Sequence, residues 1–131
     1  MDTAILVDEL DKRAFELVKT LNKKGFEFTV AALMKNEDAE DWYIVLGIPG
    51  LRTKGSRAPL TILYDVLKES NINESGFSLT LNDIKLLDDQ DIIFTLLRRR
   101  FNPGGEVSRL VVTGNYIDGT RIPDSIIYQI K

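Results

Sequence analysis

The tripeptide Asp83-Ile84-Lys85 carries the residue types that metal-dependent nucleases place on a strand. In such a site the carboxylate holds a divalent cation and the lysine stabilises the negative charge that develops during hydrolysis. The site also needs a second acid on a neighbouring strand, and Asp41 is the candidate for that role. The alternative is that Asp83 and Lys85 form only the polar entrance of a short strand. We favour this alternative, and we predict no catalytic residue, no metal ligand and no cofactor.

The segment from Gly50 to Arg57 is a basic loop that is flanked by glycine and precedes a predicted helix. Backbone N–H groups and the positive end of a helix dipole favour an anion at such a place. The segment does not have the order of a nucleotide-binding P-loop, in which a lysine follows glycine and precedes Ser or Thr. Two interpretations remain open: a solvated loop, and a site for an anion or acidic partner. The candidate contact residues for the second are Arg52, Lys54 and Arg57.

Three acids lie close together in Asp88-Asp89-Gln90-Asp91. Clustered carboxylates can hold Mg²⁺ or Ca²⁺, but the spacing of a calcium loop and its closing glutamate are absent. We expect instead that Asp88 caps a helix and that Asp91 lies in its first turn, where the helix dipole favours an acid.

Three consecutive arginines, Arg98, Arg99 and Arg100, close that same predicted helix. Cations at a helix C-terminus complement the dipole, which is the simplest account of them. The alternative is that they recognise an acidic protein or a nucleic acid through charge-assisted hydrogen bonds.

The composition narrows the classes of function. The chain has 131 residues, with 17 basic and 20 acidic side chains and a formal charge of −3. This balance argues against broad nonspecific binding of nucleic acid, although a local basic patch remains possible. Cysteine is absent, which fits a reducing compartment, so we predict a cytoplasmic protein. Histidine is absent too, which removes the commonest general base and metal ligand.

We expect no membrane partner. The N-terminal sequence has acids on both sides of a short apolar run and lacks the basic region of a signal peptide. No window approaches the length of apolar sequence that a membrane-spanning helix requires.

The first elements follow from the spacing of apolar residues. One helix begins at Asp2 or Thr3 and ends near Lys24, because apolar residues recur at intervals of three and four. The residues of this stripe are Leu10, Ala14, Leu17, Val18 and Leu21. Phe26–Met34 and Trp42–Ile48 then alternate between apolar and mixed positions, which predicts two strands joined as an antiparallel hairpin.

The middle of the chain holds two more helices and a strand. The second helix ends near Ser70 and has Pro59 in its first turn, where the missing N–H costs nothing. Ile84–Leu87 suggests a short central strand. The third helix runs from Asp88 to Arg100 and buries a stripe of isoleucine and leucine.

The last stretch, Val107–Lys131, reads as a second hairpin. Aspartate tolerates positive φ and glycine adopts it freely, so Asp118-Gly119 fits a two-residue type I′ turn. Counting outward from that turn, Gly114 opposes Pro123. Glycine weakens a ladder and proline cannot donate to it, so we expect a bend or bulge there.

The final strand, Ile126–Ile130, contains no charged residue. If this strand lies at the edge of the sheet, its unpaired backbone groups invite pairing with a second copy of the chain. The competing arrangement puts the strand in the middle of the sheet, where it has no edge to offer. The interface candidates in it are Ile127, Tyr128 and Gln129. Trp42, the only tryptophan, is either a core packing residue or a further interface anchor.

The element order is α-ββ-α-β-α-ββ. We predict one α+β domain over residues 1–131, a two-layer sandwich in which three helices cover one face of a five-stranded, mostly antiparallel sheet.

Several short segments resemble a family of small bacterial α+β proteins without an assigned function, which occur around mobile and defence-related genes. The resembling segments are Ala14-Phe15-Glu16-Leu17, Gly25-Phe26, Asp41-Trp42-Tyr43, Arg57-Ala58-Pro59-Leu60, Asp88-Asp89 and Arg121–Tyr128. The family ends in a run that closes with arginine, where this chain has Gln129. The resemblance implies the same α+β fold and no particular catalytic residue.

Taken together, these patterns favour a non-enzymatic protein-interaction or regulatory module that binds a protein partner or itself as a homodimer. The alternative is a nucleic-acid-binding accessory protein that uses the basic loop 52–57 and Arg98–Arg100. A third hypothesis is a metal-dependent hydrolase centred on Asp83 and Lys85.

Overall fold

The computed structural model describes residues 3–36, 38, 41–69, 79–101 and 105–131. Within these residues the helices are α1 (Thr3–Lys23), α2 (Leu51–Lys54), α3 (Arg57–Glu69) and α4 (Ile92–Arg100), and a 3₁₀ turn spans Leu81–Asp83. The strands are β1 (Val30–Asn36), β2 (Asp41–Ile48), β3 (Ile84–Asp88), β4 (Leu110–Val112), β5 (Tyr116–Ile117), β6 (Thr120–Arg121) and β7 (Ser125–Ile130). Asp2 and Ser70, the predicted limits of two helices, lie outside the described residues.

Five strands form the main sheet, in the order β3-β2-β1-β7-β4. Every neighbouring pair is antiparallel except β2 and β3, which are parallel. The predicted α+β class and the five-stranded, mostly antiparallel sheet are therefore confirmed. The parallel pair follows from the crossover through α3, which returns the chain to the end of the sheet where β2 began.

The first helix and the first hairpin agree with the prediction, apart from one boundary. The predicted stripe of α1 is buried, and the helix ends before Gly25, which has a φ of 71°. β1 pairs with β2 as expected, with Leu33 opposite Ile44. The first strand begins at Val30 rather than at Phe26, although Phe26 and Phe28 are buried in the segment that leads into it.

The helices are divided between the two faces of the sheet. On one side, which we call the α1 face, α1 and α3 cover Leu33, Leu46 and Tyr128. On the other side, the α4 face, α4 and the β5–β6 hairpin cover Ala32 and Ile127. We had expected all the helices on one face. The difference arises because the first five residues of β1 are all buried, and a strand that is apolar on both sides must be covered on both.

The C-terminal hairpin bends where glycine and proline predicted it. Asp118 and Gly119 have φ values of 51° and 79°, and Ile117 pairs with Thr120 across the turn. Gly114 has a φ of 59°, and the ladder divides there into the β4–β7 pair and the separate β5–β6 pair. The bend directs Ile117 into the core of the α4 face.

The order of the strands decides between the two positions that were open for β7 and differs from the prediction for β3. β7 lies between β1 and β4, so it is not an edge strand, whereas β3, predicted as central, is at an edge. Both β1 and β7 are apolar on both sides, and pairing them keeps both away from the edges. β2 has β1 on one side, toward the centre of the sheet, so β3 pairs with its other side and becomes the edge strand.

A bulge in β7 decides which of its side chains face α1. Ala31 pairs with Gln129 and Ala32 pairs with Ile127, so Tyr128 is the additional residue in the ladder. A bulge turns two consecutive side chains toward the same side of a sheet. Here Tyr128 and Gln129 both contact residues of α1, since Tyr128 bonds Asp11 and Gln129 bonds Asn22.

Candidate functional site

The carboxyl ends of the parallel strands β2 and β3 meet at one edge of the sheet, where Ile48 pairs with Asp88. This is the kind of place where sheets containing parallel strands form ligand crevices. The Asp88 carboxylate accepts hydrogen bonds from the backbone N–H groups of Arg52 at 2.8 Å and Gln90 at 2.9 Å. These bonds hold the pKa of Asp88 below its usual value, so the carboxylate is ionised at neutral pH and ties α2 to the end of β3.

Asp88 therefore has a different role from the one that we predicted. It ends β3, and the chain makes a turn before α4 begins. The N-cap of α4 is Asp91, whose side chain accepts a hydrogen bond from the backbone N–H of Ile93 at 3.1 Å. The physical reason is that both oxygens of Asp88 are occupied by the turn and by α2.

A cleft of about 330 Å³ opens next to this edge, between the α1–β1 connection and the segment from the end of β2 to the start of α3. We call it the α3 cleft. Its apolar wall includes Phe26, Ile48, Pro49, Leu51, Ala58 and Ile62. Ile62 is 48% exposed on the outer surface of α3. A second cavity, of about 350 Å³, lies at the other end of α3 beside Tyr64 and Leu81, and none of its lining residues belongs to the predicted charged clusters.

One wall of the α3 cleft is formed by α2, a helix of four residues with no buried side chain. Gly50 precedes it and Gly55 follows it, with φ values of 73° and 81° that suit glycine. The aliphatic stem of Lys54 crosses Gly50, since its Cδ would lie 3.4 Å from a Cβ added there. The lysine thus covers the turn with its stem while its ammonium group stays exposed at the mouth of the cleft.

The predicted basic loop lies at this mouth. Arg52, Lys54 and Arg57 are all exposed, and Lys54 itself lines the cleft. Across the described part of the chain, neither Lys54 nor Arg57 forms an ion pair. The opposite wall carries Lys24 and Glu27.

The two charges of that opposite wall have neighbours of opposite sign. The ammonium of Lys24 lies 3.8 Å from the carboxylate of Glu69. Lys131 interacts electrostatically with Glu27 and stacks on the Phe28 ring, at 3.7 Å from its centroid. Burial lowers the pKa of Lys131, and the charge of Glu27 opposes that effect.

The second basic cluster is largely engaged in holding the fold together. The Arg98 guanidinium donates to the backbone carbonyl of Asp89 at 2.6 Å and to Oγ1 of Thr29 at 3.3 Å. Arg99 forms an ion pair with Asp118 of the hairpin turn. Arg100 is exposed at the end of α4. Among the described residues, the cluster therefore offers one arginine without a partner rather than three.

The two basic clusters do not join into one surface. Arg52 contacts Asp88 through its backbone, and Arg98 contacts Asp89, so the acidic turn lies between the loop of α2 and the end of α4. An ionised turn at this position interrupts the positive potential that a phosphate backbone requires.

Asp83 and Lys85 do not converge on a common point. The Asp83 carboxylate accepts hydrogen bonds from the backbone N–H of Thr80 at 2.9 Å and from its hydroxyl at 3.3 Å, which closes a capping box on the 3₁₀ turn. The Lys85 ammonium lies 5.3 Å from the centroid of the Tyr43 ring. Burial and the charge of Asp41 raise the pKa of Tyr43. Among the described residues, no group of three or more acidic side chains is placed to hold a metal ion.

The interface candidates of the last strand are buried. Ile127, Tyr128 and Gln129 are at most 5% exposed, and the edge pairing predicted for them was wrong because β7 has a neighbour on each side. Trp42 is half-buried at the start of β2 and packs against the core of the α1 face. This position favours the packing role for the tryptophan.

The apolar wall of the α3 cleft was missed in the sequence. One signal for it exists: Ile62 lies off the buried stripe of α3, which is formed by Leu63, Val66 and Leu67. An isoleucine on the otherwise polar side of an amphipathic helix has no packing role within the helix itself. The convergence of Phe26 and Ile48 on the same cleft has no such local signal, because they lie on different elements.

Comparison of the chain with protein-family models, with curated proteins and with solved structures gave no match. None of the helices in the described ranges combines the length and the apolar character needed to cross a bilayer.

Proposed function

We propose that this chain is a non-enzymatic protein-binding module and that the α3 cleft is its docking site. The observation that supports this most directly is the open apolar wall of the cleft, in which Ile62 remains 48% exposed. Concave apolar surfaces with a few charged groups at the rim are typical of binding sites. A regulatory role in the cytoplasm of a bacterium, in keeping with the family that the sequence resembles, belongs to the same proposal.

The ionisable groups around the cleft suit binding better than catalysis. Those that line it are Lys24, Glu27 and Lys54. The chain has no histidine or cysteine to serve as a base or nucleophile near neutral pH. The hydrolase hypothesis loses its support as well, because the Asp83 carboxylate is occupied by Thr80.

A site-specific crosslink tests the docking site. A photo-crosslinking amino acid replaces Ile62 in one variant and Ile92 in a matched variant, since both are exposed isoleucines on helices, at 48% and 60%. After irradiation in host lysate treated with nuclease, we expect a discrete protein adduct from position 62 and none from position 92. Equal adducts from both positions would contradict the proposal, because they would show that crosslinking does not depend on the cleft.

Binding of nucleic acid remains the alternative function, and the acidic turn between the basic clusters counts against it. The same crosslinking variants distinguish the two. If the adduct at position 62 disappears after nuclease treatment, the contact depends on nucleic acid and the alternative gains support. We expect the adduct to survive.

A specific observation also favours self-association, though at another strand than the one predicted. β4 (Leu110–Val112) is an edge strand without charged residues, and Val111 is 67% exposed. An edge strand offers unpaired N–H and C=O groups to a copy of itself, and the three-residue length of β4 restricts that pairing to a short ladder. Antiparallel pairing about Val111 would place the two copies of that residue opposite each other.

Sedimentation of the parent and of a Val111→Lys variant tests this second candidate. In the symmetric pairing the new lysines would lie directly opposite each other, where like charges are destabilising. We expect a parent dimer that dissociates in the variant while the fold is retained. A parent that sediments as a monomer at micromolar concentration would remove self-association from consideration.

A further inference from the structure

We propose that the segment that occupies the α3 cleft presents an apolar side chain next to an acidic one. This inference rests on the proposed function, since it names the chemistry of the partner for the same cleft. The occupant is a short segment of another protein, and its acidic residue lies on the side of α2 and α3.

The dimensions of the cleft limit what enters it. At about 330 Å³ it is at the lower end of the range for drug-sized ligands. This is room for one or two large side chains rather than for a whole helix. Phe26 and Ile48 form the buried part of the wall, and Ile62 the exposed part. An apolar side chain that enters the cleft therefore exchanges water for contacts with all three.

The charges around the mouth are distributed unevenly. On one side, Lys24 faces Glu69, and Glu27 interacts with Lys131, so each charge there has a neighbour of opposite sign. On the other side, Lys54 and Arg57 have no ion-pair partner within the described residues. The α2–α3 side of the mouth therefore carries Lys54 without a paired acid among the described residues, whereas the nearby carboxylate of Asp88 is bonded to the backbone N–H groups of Arg52 and Gln90.

The direction of α3 reinforces this asymmetry. Arg57 is its first residue, so the positive end of the helix dipole lies at the same side of the mouth. A carboxylate placed there meets Lys54 and this dipole together, and Arg57 directly precedes the lining residue Ala58. Complementary charges of this kind at the rim of an interface select the partner and speed its association.

Affinity selection from a phage-displayed library of short random peptides tests the inference. We expect the parent protein to enrich peptides in which a leucine, isoleucine or phenylalanine lies beside an aspartate or glutamate. The enriched peptides are then synthesised and titrated against purified protein. Their binding should weaken with added salt, because exposed charges at the rim are screened.

Two pairs of variants separate the apolar and the charged contributions. Ile62→Asp should abolish binding, and its matched control Ile92→Asp should leave it unchanged. The double reversal Lys54→Glu with Arg57→Glu should raise Kd by about tenfold or more, because it replaces attraction of the acidic side chain at the rim by repulsion. Its control, Lys12→Glu with Arg100→Glu, makes the same change of net charge on exposed residues away from the cleft. Thermal melts confirm that each variant folds.

Each outcome decides between the two proposals. If binding is lost in Ile62→Asp but is unaffected by the reversal at Lys54 and Arg57, the cleft binds protein and the acidic partner is wrong. If no peptide is enriched while the crosslink at position 62 still captures a protein, the inference fails and the proposed function stands. If peptides bind equally well to parent and Ile62→Asp, both fail. Octanoate that competes as well as the best peptide would show a site for small carboxylates and would overturn the inference.

Discussion

The two faces of the main sheet are assembled in different ways. On the α1 face, polar side chains cross between elements inside the core: the Tyr128 hydroxyl donates to Asp11 at 2.7 Å, and Gln129 accepts from Asn22 at 2.7 Å. On the α4 face, the contact between helix and sheet is made by Phe94, whose ring lies against Gly47. The first face is held by packing and directional bonds together, and the second mainly by packing.

This difference shows what a single bulge contributes to the fold. Because Tyr128 and Gln129 both face α1, the strand brings two polar groups under one helix. Each then requires a partner, since burial of an unbonded polar group is costly. Gln129 completes its requirement by donating to the carbonyl of Gly105 at 2.6 Å. The partner of the Tyr128 hydroxyl is the Asp11 carboxylate, which also accepts a hydrogen bond from Arg109 at 3.1 Å. The Arg109 guanidinium stacks on the Phe15 ring.

The largest effect is expected at Phe94, which packs α4 against the sheet. Phe94 is fully buried, and its ring lies so close to Gly47 that an added Cβ there would be 3.0 Å away. Phe94→Ala should lower the free energy of unfolding by about 3–5 kcal/mol, because it leaves a cavity between α4 and the sheet. Chemical denaturation measures this, with Ile92→Ala on the exposed side of α4 as the near-neutral control. A decrease of less than about 1 kcal/mol in the free energy of unfolding would show that the packing of α4 contributes little to the stability of the sheet.

A smaller effect is expected where the polar bonds are removed from the α1 face without changing its shape. Tyr128→Phe keeps the ring but removes the hydroxyl that donates to the Asp11 carboxylate. We expect the free energy of unfolding to fall by about 1–3 kcal/mol. Arg109 still bonds Asp11, which limits the cost. The matched control is Tyr116→Phe, at a tyrosine that is 64% exposed on the hairpin. Equal effects at both positions would show that the Tyr128 bond adds nothing specific to this face.

Alkaline pH provides a test of the same bond without cavity formation. Burial, followed by the hydrogen bond to Asp11, raises the pKa of Tyr128 far above its usual value. Because its pKa is raised in the folded state, the Tyr128 hydroxyl contributes its full stabilisation below the unfolded pKa of about 10. This contribution decreases as pH rises above that value. The free energy of unfolding of the parent should therefore fall more steeply above about pH 10 than that of Tyr128→Phe. Parallel curves for the two proteins would contradict the buried hydroxyl.

Local patterns predicted the elements of both faces well. The intervals of three and four in α1, the alternation in β2 and the Asp118-Gly119 turn all depend on neighbours in the sequence, and each has its predicted place. The apolar run Val30–Met34 is also a local pattern, and it corresponds to the burial of β1 on both sides of the sheet. Such a run is typical of a strand that needs a cover on each face.

The order of the strands and the candidate site depend on contacts between distant residues, and no local pattern encodes them. β7 is central because β1, far from it in the sequence, pairs with the side of β7 that its hairpin partner β4 leaves open. The α3 cleft joins Phe26 to Ile62 across three elements. Of the predicted charged residues, Lys54 lines the cleft, whereas Arg98 and Arg99 bond the fold itself. Sequence types alone do not distinguish a free arginine from an engaged one.

The smallest effect is expected outside both faces, at the tie between α2 and the end of β3. Asp88 uses one carboxylate oxygen for Arg52 and the other for Gln90, and an asparagine has a single oxygen to offer. Asp88→Asn should therefore release one of the two N–H groups, and since α2 buries no side chain, the global stability should stay close to that of the parent. Hydrogen exchange at the Arg52 and Gln90 amides should accelerate locally. Acidification should lower the protection of the same two amides in the parent, relative to their intrinsic exchange rates at each pH, because the pKa of Asp88 is lowered in the folded state and the tie is lost only as pH falls through that value. The control is Asp89→Asn, which makes the same change of charge at a neighbour whose carboxylate, within the part of the chain that the structure describes, bonds only the Gln90 side chain. Unchanged exchange in Asp88→Asn, or equal acceleration in both variants, would show that α2 is held at the mouth of the cleft by something other than this carboxylate.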